Sequence, residues 1–138
     1  MARRNTRTGA VLEQMVLPAL GRGGYFYSTG VNIGRRLDVG RHIADVVAEA
    51  GPNRYLISLK WQQVSGTAEQ KVPFEVICLS EAVREGEFNK AYLVLGGDGW
   101  KLRDFYTTGG LARHLIRADL VHIVTLERFV ALANQGDL

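Results

Sequence analysis

The chain has 138 residues, 46% of them hydrophobic, and a net charge of +3 from 17 Lys and Arg against 14 Asp and Glu, enough for one domain (residues 1–138) with a real core. No apolar run approaches the ~18 residues of a membrane span, and the basic start Met1-Ala2-Arg3-Arg4-Asn5-Thr6-Arg7 leads into no apolar stretch of a secretory signal. Cys78 is the single cysteine, which excludes an internal disulfide and a cysteine-based zinc cluster and fits a reducing cytoplasm.

Residues 8–20 read as a first helix, Thr8 its N-cap and Val11, Leu12, Met15, Val16, Ala19 and Leu20 its apolar face, stopped by Gly21-Arg22-Gly23-Gly24. Strands follow at 25–33, 41–49 and 54–62, separated by a basic turn from Gly34 to Gly40 and a tight turn at Gly51-Pro52-Asn53. Thr67-Ala68-Glu69-Gln70 has the form of a capping box for a helix to about Arg84. Pro73 means that this helix either bends or begins near Val72. A fourth strand at 90–95 leads into Gly96-Gly97-Asp98-Gly99, which lacks a Walker A pattern and reads, with Trp100, Lys101 and Arg103, as a mobile loop. Thr108 caps a helix to about Arg117, a fifth strand covers 120–124, and a last helix runs from Leu126 to Asn134. The order is αβββαβαβα, an α/β domain with a central mixed β-sheet flanked by helices.

Basic residues cluster as Arg3, Arg4 and Arg7, as Arg35, Arg36 and Arg41, and as Lys101, Arg103, Arg113 and Arg117. Such clusters suit a polyanion, nucleic acid above all, or a solvated surface. Tyr25 and Tyr27, among Arg22, Arg35, Arg36 and Arg41, suit a nucleic-acid groove or an ordinary strand. The chemistry gathers elsewhere. Asp45 stands on the second strand; Ser58 and Lys60 share one face of the third, because side chains alternate along a strand. On the next helix Ala68, Val72, Val76, Leu79, Ala82 and Val83 form the buried stripe. Glu75 falls inside it, and Glu69 at its edge. Carboxylates that hold Mg²⁺ beside a lysine are the minimum kit for cutting a phosphodiester. Two plainer pairings remain open, Lys60 with Glu75 and Lys60 with Asp45. Ser58 is a weak ligand that donates a hydrogen bond or holds a water. His42, of opposite parity to Asp45, is packed or contacts phosphate. Gln62 shares the parity of Lys60 and extends the site toward the scissile phosphate, and Phe74 and Ile77 lie off the buried stripe, where they suit a twofold interface.

The order αβββαβ, with Asp45 on the second strand and Lys60 on the third, resembles the PD-(D/E)XK nuclease superfamily over nearly the whole chain. The resemblance implies a restriction-endonuclease-like core, with acids that bind divalent metal. Ser58 departs from the pattern, which has Asp or Glu two residues before the lysine. Ser-x-Lys with a carboxylate on the next helix is similar to a subset of type II restriction endonucleases, which makes Glu75, or Glu69, the second ligand. Glu13, on the first helix, is either an exposed helix glutamate or, as the resemblance implies from Holliday-junction resolvases and several exonucleases of the superfamily, a further metal ligand. The implied activity is a Mg²⁺-dependent DNA endonuclease, Mn²⁺ able to substitute. Asp45 and Glu75 hold the metal, Lys60 and Ser58 complete the catalytic set, and Arg22, Arg35, Arg36, Arg41, Gln62, Lys101 and Arg103 contact DNA. A homodimer cutting branched DNA or a short duplex site, without membrane or nucleotide cofactor, is expected. The alternative is a non-catalytic DNA-binding or assembly module that keeps the fold.

Overall fold

Strands that bury side chains on both faces need helices on both sides, and the chain supplies them. A computed structural model describes residues 6–138. Arg3 and Arg4 of the basic arm lie outside the described residues. The first helical segment is α1 (Thr6–Val11), a π-helical turn (Leu12–Val16) and α2 (Leu17–Arg22). There follow β1 (Phe26–Arg36), β2 (Gly40–Ala50), β3 (Asn53–Trp61), α3 (Ala68–Arg84), β4 (Lys90–Gly96), α4 (Arg103–Thr107), two 3₁₀ turns (Gly110–Arg113 and Ala118–Leu120), β5 (Val121–Thr125) and α5 (Leu126–Asn134). The sheet order is β1-β2-β3-β4-β5. The β1–β2 and β2–β3 pairs are antiparallel, and β3–β4 and β4–β5 are parallel. The mixed α/β architecture is the one the sequence predicts.

Two apolar layers hold it. On one face Val16, Leu20, Val46, Ile57, Leu59, Val94 and Phe129 join the first helices and α5 to the sheet. On the other, Val47, Leu56, Leu93 and Leu95 pack against Val72, Val76 and Leu79 of α3. Alternate residues of β3 thus divide between layers, which leaves Ser58 facing α3.

Four local expectations are corrected. The basic turn is shorter than predicted: β1 continues to Arg36 and only Leu37, Asp38 and Val39 turn. The 108–117 helix is not formed. Thr108 instead follows the last turn of α4, its Oγ1 donating to the Asp104 carbonyl at 2.6 Å. Gly109 at φ 83° reverses the chain, and a Cβ on Gly110 would lie 2.5 Å from the Phe105 ring. Thr-Thr-Gly-Gly is therefore a stop signal, not a start. The capping box is also absent, since Thr67 makes no side-chain cap. Gln62 Oε1 accepts the Ala68 N–H at 3.1 Å in its place. Finally, the glycine loop after β4 is clasped rather than loose. Gly99 N–H donates to the Gln62 carbonyl at 2.8 Å, and a Cβ on Gly97 would stand 2.4 Å from that oxygen.

Pro73 sits inside a continuous α3. It cannot donate to the carbonyl of Glu69, one turn back. The Tyr106 hydroxyl donates to that carbonyl at 2.7 Å, so α4 repairs what the proline removes.

Candidate active site

β2 and β3 pair from Ala50 opposite Asn53 as far as Val46 opposite Ile57, and then part. The first β2 residue past the divergence is Asp45. Its Oδ2 accepts the Leu59 N–H at 2.8 Å, taking the place of a ladder partner. Between the separating strands lies a cavity of ≈70 Å³ lined by Asp45, Ser58, Lys60 and Glu75, with Arg36, His42 and apolar neighbours. The four residues assigned to catalysis from sequence are thus brought together.

Glu75 is buried among the apolar residues of α3, where a carboxylate needs partners. It has two. Ser58 Oγ donates to Oε2 at 2.7 Å, and Arg36 Nη1 lies 3.3 Å from Oε1. The pairing with Lys60 that the sequence left open is thus taken by Arg36. Lys60 is half-buried at the cavity.

Arg36 arrives there through a β-bulge. The register of β1 against β2 shifts between Asn32 and Arg35, where Gly34 has φ 120°. One extra residue reverses which side chains face α3. Upstream, Val31 and Ile33 face it; after the bulge Arg36 does, and Arg35 is exposed, donating to the Asp38 carbonyl at 2.7 Å. Sequence reasoning placed Arg36 with surface DNA contacts and missed this position. An isolated glycine within a strand pattern is the signal that points to it.

His42 is buried in the same cavity wall. The parity argument separated it from Asp45, but strict alternation fails here: Ala44 and Val46 share parity, yet Ala44 joins the α3 layer with Val47 and Val46 joins the opposite one. Burial, and then the Arg36 guanidinium, lower the His42 pKa against the opposing pull of Glu75.

The other acidic candidates stand apart from this cavity. Glu69 is a clasp: its carboxylate accepts the N–H groups of Lys101 and Leu102 at 2.8 and 2.7 Å, and Gln62 Nε2 at 3.3 Å. Burial raises its pKa, but these donors and the Lys101 charge outweigh it and leave the value below normal. Gln62 is buried in the same clasp, its Nε2 also donating to the Gly99 carbonyl at 2.9 Å, and is not offered to a ligand. Glu13 is exposed beside a hollow lined by Gly9, Leu12, Leu17, Thr29 and Gly30. Arg22 Nε donates to Asn134 at 2.6 Å on the α2–α5 side. Arg41, Lys101 and Arg103 are exposed. Tyr25 is a core residue, edge-on to Tyr55 and accepting the Leu138 N–H at 3.0 Å.

A divalent cation fits the donor chemistry. Asp45 and Glu75 supply hard oxygens, and Mg²⁺ characteristically uses one or two carboxylates, keeping waters and phosphate oxygens for the rest. Among the described residues no three His, Cys, Asp or Glu side chains group to hold a metal alone.

Comparison with known proteins agrees with this fold. The model of the PD-(D/E)XK nuclease superfamily domain matches residues 4–136. Curated proteins give no match. Among solved structures, that of AF1548, a protein of unknown function, is similar at 15% identity and a TM-score of 0.50 over 80% of this chain. The chain spans 54% of that protein's length, and the likeness is one of fold.

Proposed function

The chain belongs to the PD-(D/E)XK nuclease superfamily, whose members are generally nucleases that use divalent metals, and we propose that it is itself a Mg²⁺-dependent DNA endonuclease. The observation that carries this reading is the convergence of Asp45, Ser58, Lys60 and Glu75 on one cavity where β2 and β3 separate. Asp45 and Glu75 would hold the cation, which when bound supplies Lewis-acid stabilisation of phosphoryl charge and eases ionisation of a water.

The side chains divide the remaining work. Lys60 places a positive charge where negative charge grows on the phosphate and orients the attacking water. Ser58 fixes one oxygen of Glu75 through its hydroxyl, so the carboxylate presents one orientation. The Asp45 hydrogen bond to Leu59 N–H fixes the other acid against the backbone that carries Ser58 and Lys60. A bond forms from the water oxygen to phosphorus while the bond to O3′ breaks. The leaving oxygen takes a proton and the products are a 3′-hydroxyl and a 5′-phosphate. Exposed Arg35, Arg41, Lys101 and Arg103 would bind the phosphate backbone. Exposed Phe74 and Ile77 on α3 support pairing of two copies, one site per strand, on branched DNA or a short duplex site.

A second reading, a DNA-binding module without catalysis, is favoured by one feature: both Glu75 oxygens are already engaged, by Ser58 and Arg36. Supercoiled plasmid, matched duplex and a four-way junction, with Mg²⁺ or EDTA, separate the two. Mg²⁺-dependent cutting lost in Asp45→Ala and Lys60→Ala is expected, with the preferred substrate sorting resolvase from restriction enzyme. Salt-sensitive binding without cutting by the wild type would establish the module instead.

A further inference from the structure

The cavity holds its own counter-charges. Beside His42 the wall carries two carboxylates, Asp45 and Glu75, against two cations, Arg36 and Lys60. A dication entering alone would put two positive charges into a balanced pocket. It would also meet Glu75 with Arg36 Nη1 at 3.3 Å from one oxygen. Coulomb repulsion in a partly desolvated site is strong enough to oppose such entry.

Arg36 itself is incompletely satisfied. Its Nε is buried and has no hydrogen-bond partner. A planar guanidinium with an unmet donor gains from an anionic acceptor that offers two oxygens to its fork, and the non-bridging oxygens of a phosphodiester supply them. Its backbone fits the same reading, because the bulge at Gly34 is what turns Arg36 into the cavity.

We infer that Arg36 is a resident counter-cation that competes with the divalent cation for Glu75 and yields that carboxylate when a phosphodiester arrives to take its guanidinium. This rests on the nuclease reading of the same cavity. It makes cation uptake conditional on substrate: the pocket binds metal weakly alone and tightly with a phosphodiester. Arg36 would then contact the reacting phosphate, a role apart from that of the exposed arginines.

The test is Mn²⁺ binding to the full chain, by calorimetry and by the paramagnetic signal of free Mn²⁺, with and without excess dimethyl phosphate as the phosphodiester probe. Arg36→Gln keeps a donor for Glu75 and removes the charge; Arg36→Met is the second variant, and circular dichroism checks folding of both. The wild type should bind Mn²⁺ weakly, and more tightly with dimethyl phosphate. Arg36→Gln should bind Mn²⁺ about tenfold tighter than wild type without the probe and respond little to it, while Asp45→Ala should weaken binding. Equal or weaker Mn²⁺ binding by folded Arg36 variants, with wild-type binding that depends on Asp45, overturns the competition and leaves the nuclease reading standing. No Mn²⁺ binding by any of these proteins, with or without probe, overturns both.

Discussion

The contact between Tyr106 and the Glu69 carbonyl allows a sharp test of how α3 is held in place. Pro73 deprives that carbonyl of its helical donor, and Tyr106 Oη supplies the replacement at 2.7 Å in a buried setting. Tyr106→Phe keeps the ring and its packing but leaves the carbonyl without this donor. An unmet buried acceptor costs about 2 kcal/mol, which in a domain of this size lowers Tm by roughly 6–10 °C. Pro73→Ala returns an N–H to the helix, so the carbonyl no longer depends on the tyrosine. In that background Tyr106→Phe should cost less by about 1 kcal/mol or more. Urea denaturation of the four proteins of the cycle measures this coupling. The cycle cancels the proline's effect on the unfolded chain, which a single mutant would confound. Strict additivity, with Tyr106→Phe equally costly beside Pro73 or Ala, would refute the idea that the hydroxyl repairs the proline.

Asp45→Asn keeps an oxygen for Leu59 N–H, whereas Asp45→Ala removes it; thermal unfolding should show the alanine variant less stable by about 1 kcal/mol, with both inactive in the plasmid assay. Leu37 and Asp38 form the β1–β2 turn at φ 51° and 60°, where Asn-Gly is the favoured pair, so Leu37→Asn with Asp38→Gly should raise stability by about 1–2 kcal/mol in urea. The Glu69 pKa lies below its ordinary value of 4.5. Its contribution is thus full above that pH and lost as pH falls through the folded value, and Glu69→Gln should be destabilising at pH 7 with the gap narrowing in acid. The lowered pKa of His42 has the same sign around its ordinary 6.5: stability present above that pH falls below it, and His42→Gln should flatten this limb of the Tm-against-pH curve.

Much of the architecture was legible because periodicity reports burial. The α3 stripe of Val72, Val76 and Leu79 lies against the sheet as its spacing requires, and Phe74 and Ile77 are exposed as their off-stripe positions require. The five strands followed from five runs of β-forming residues, the first three with turn signals between them. The family signature then singled out Asp45, Lys60 and Glu75, which line one cavity. What the pattern concealed lies where regularity breaks. A bulge moves Arg36 rather than Arg35 to the α3 face, and alternation fails around Asp45, so that His42 shares its cavity. Glu69 and Gln62 had sequence positions suited to the site, but their partners are backbone N–H and C=O groups of a loop some thirty residues on, as with Lys101, 32 residues from Glu69. Contacts at that separation leave no periodic trace.

These breaks and the candidate chemistry have one physical origin. A continuous β2–β3 ladder would satisfy its backbone internally and leave no room between the strands. Ending the ladder at Val46 opens the cavity and frees a backbone donor at Leu59, and Asp45 is the residue that answers it. Likewise, a buried carboxylate on an apolar helix stripe is costly alone, so Glu75 comes with Ser58 from β3 and Arg36 from β1. Each acid is therefore held by a neighbour that the fold must supply for stability. The same contacts fix both carboxylates: Ser58 and Leu59 orient them, and Arg36 balances the charge of Glu75. On the proposed nuclease reading, structural satisfaction and readiness for a metal and a phosphate are opposed at a single atom pair, Arg36 Nη1 and Glu75 Oε1, and the partner exchange proposed there would decide the site's response to substrate.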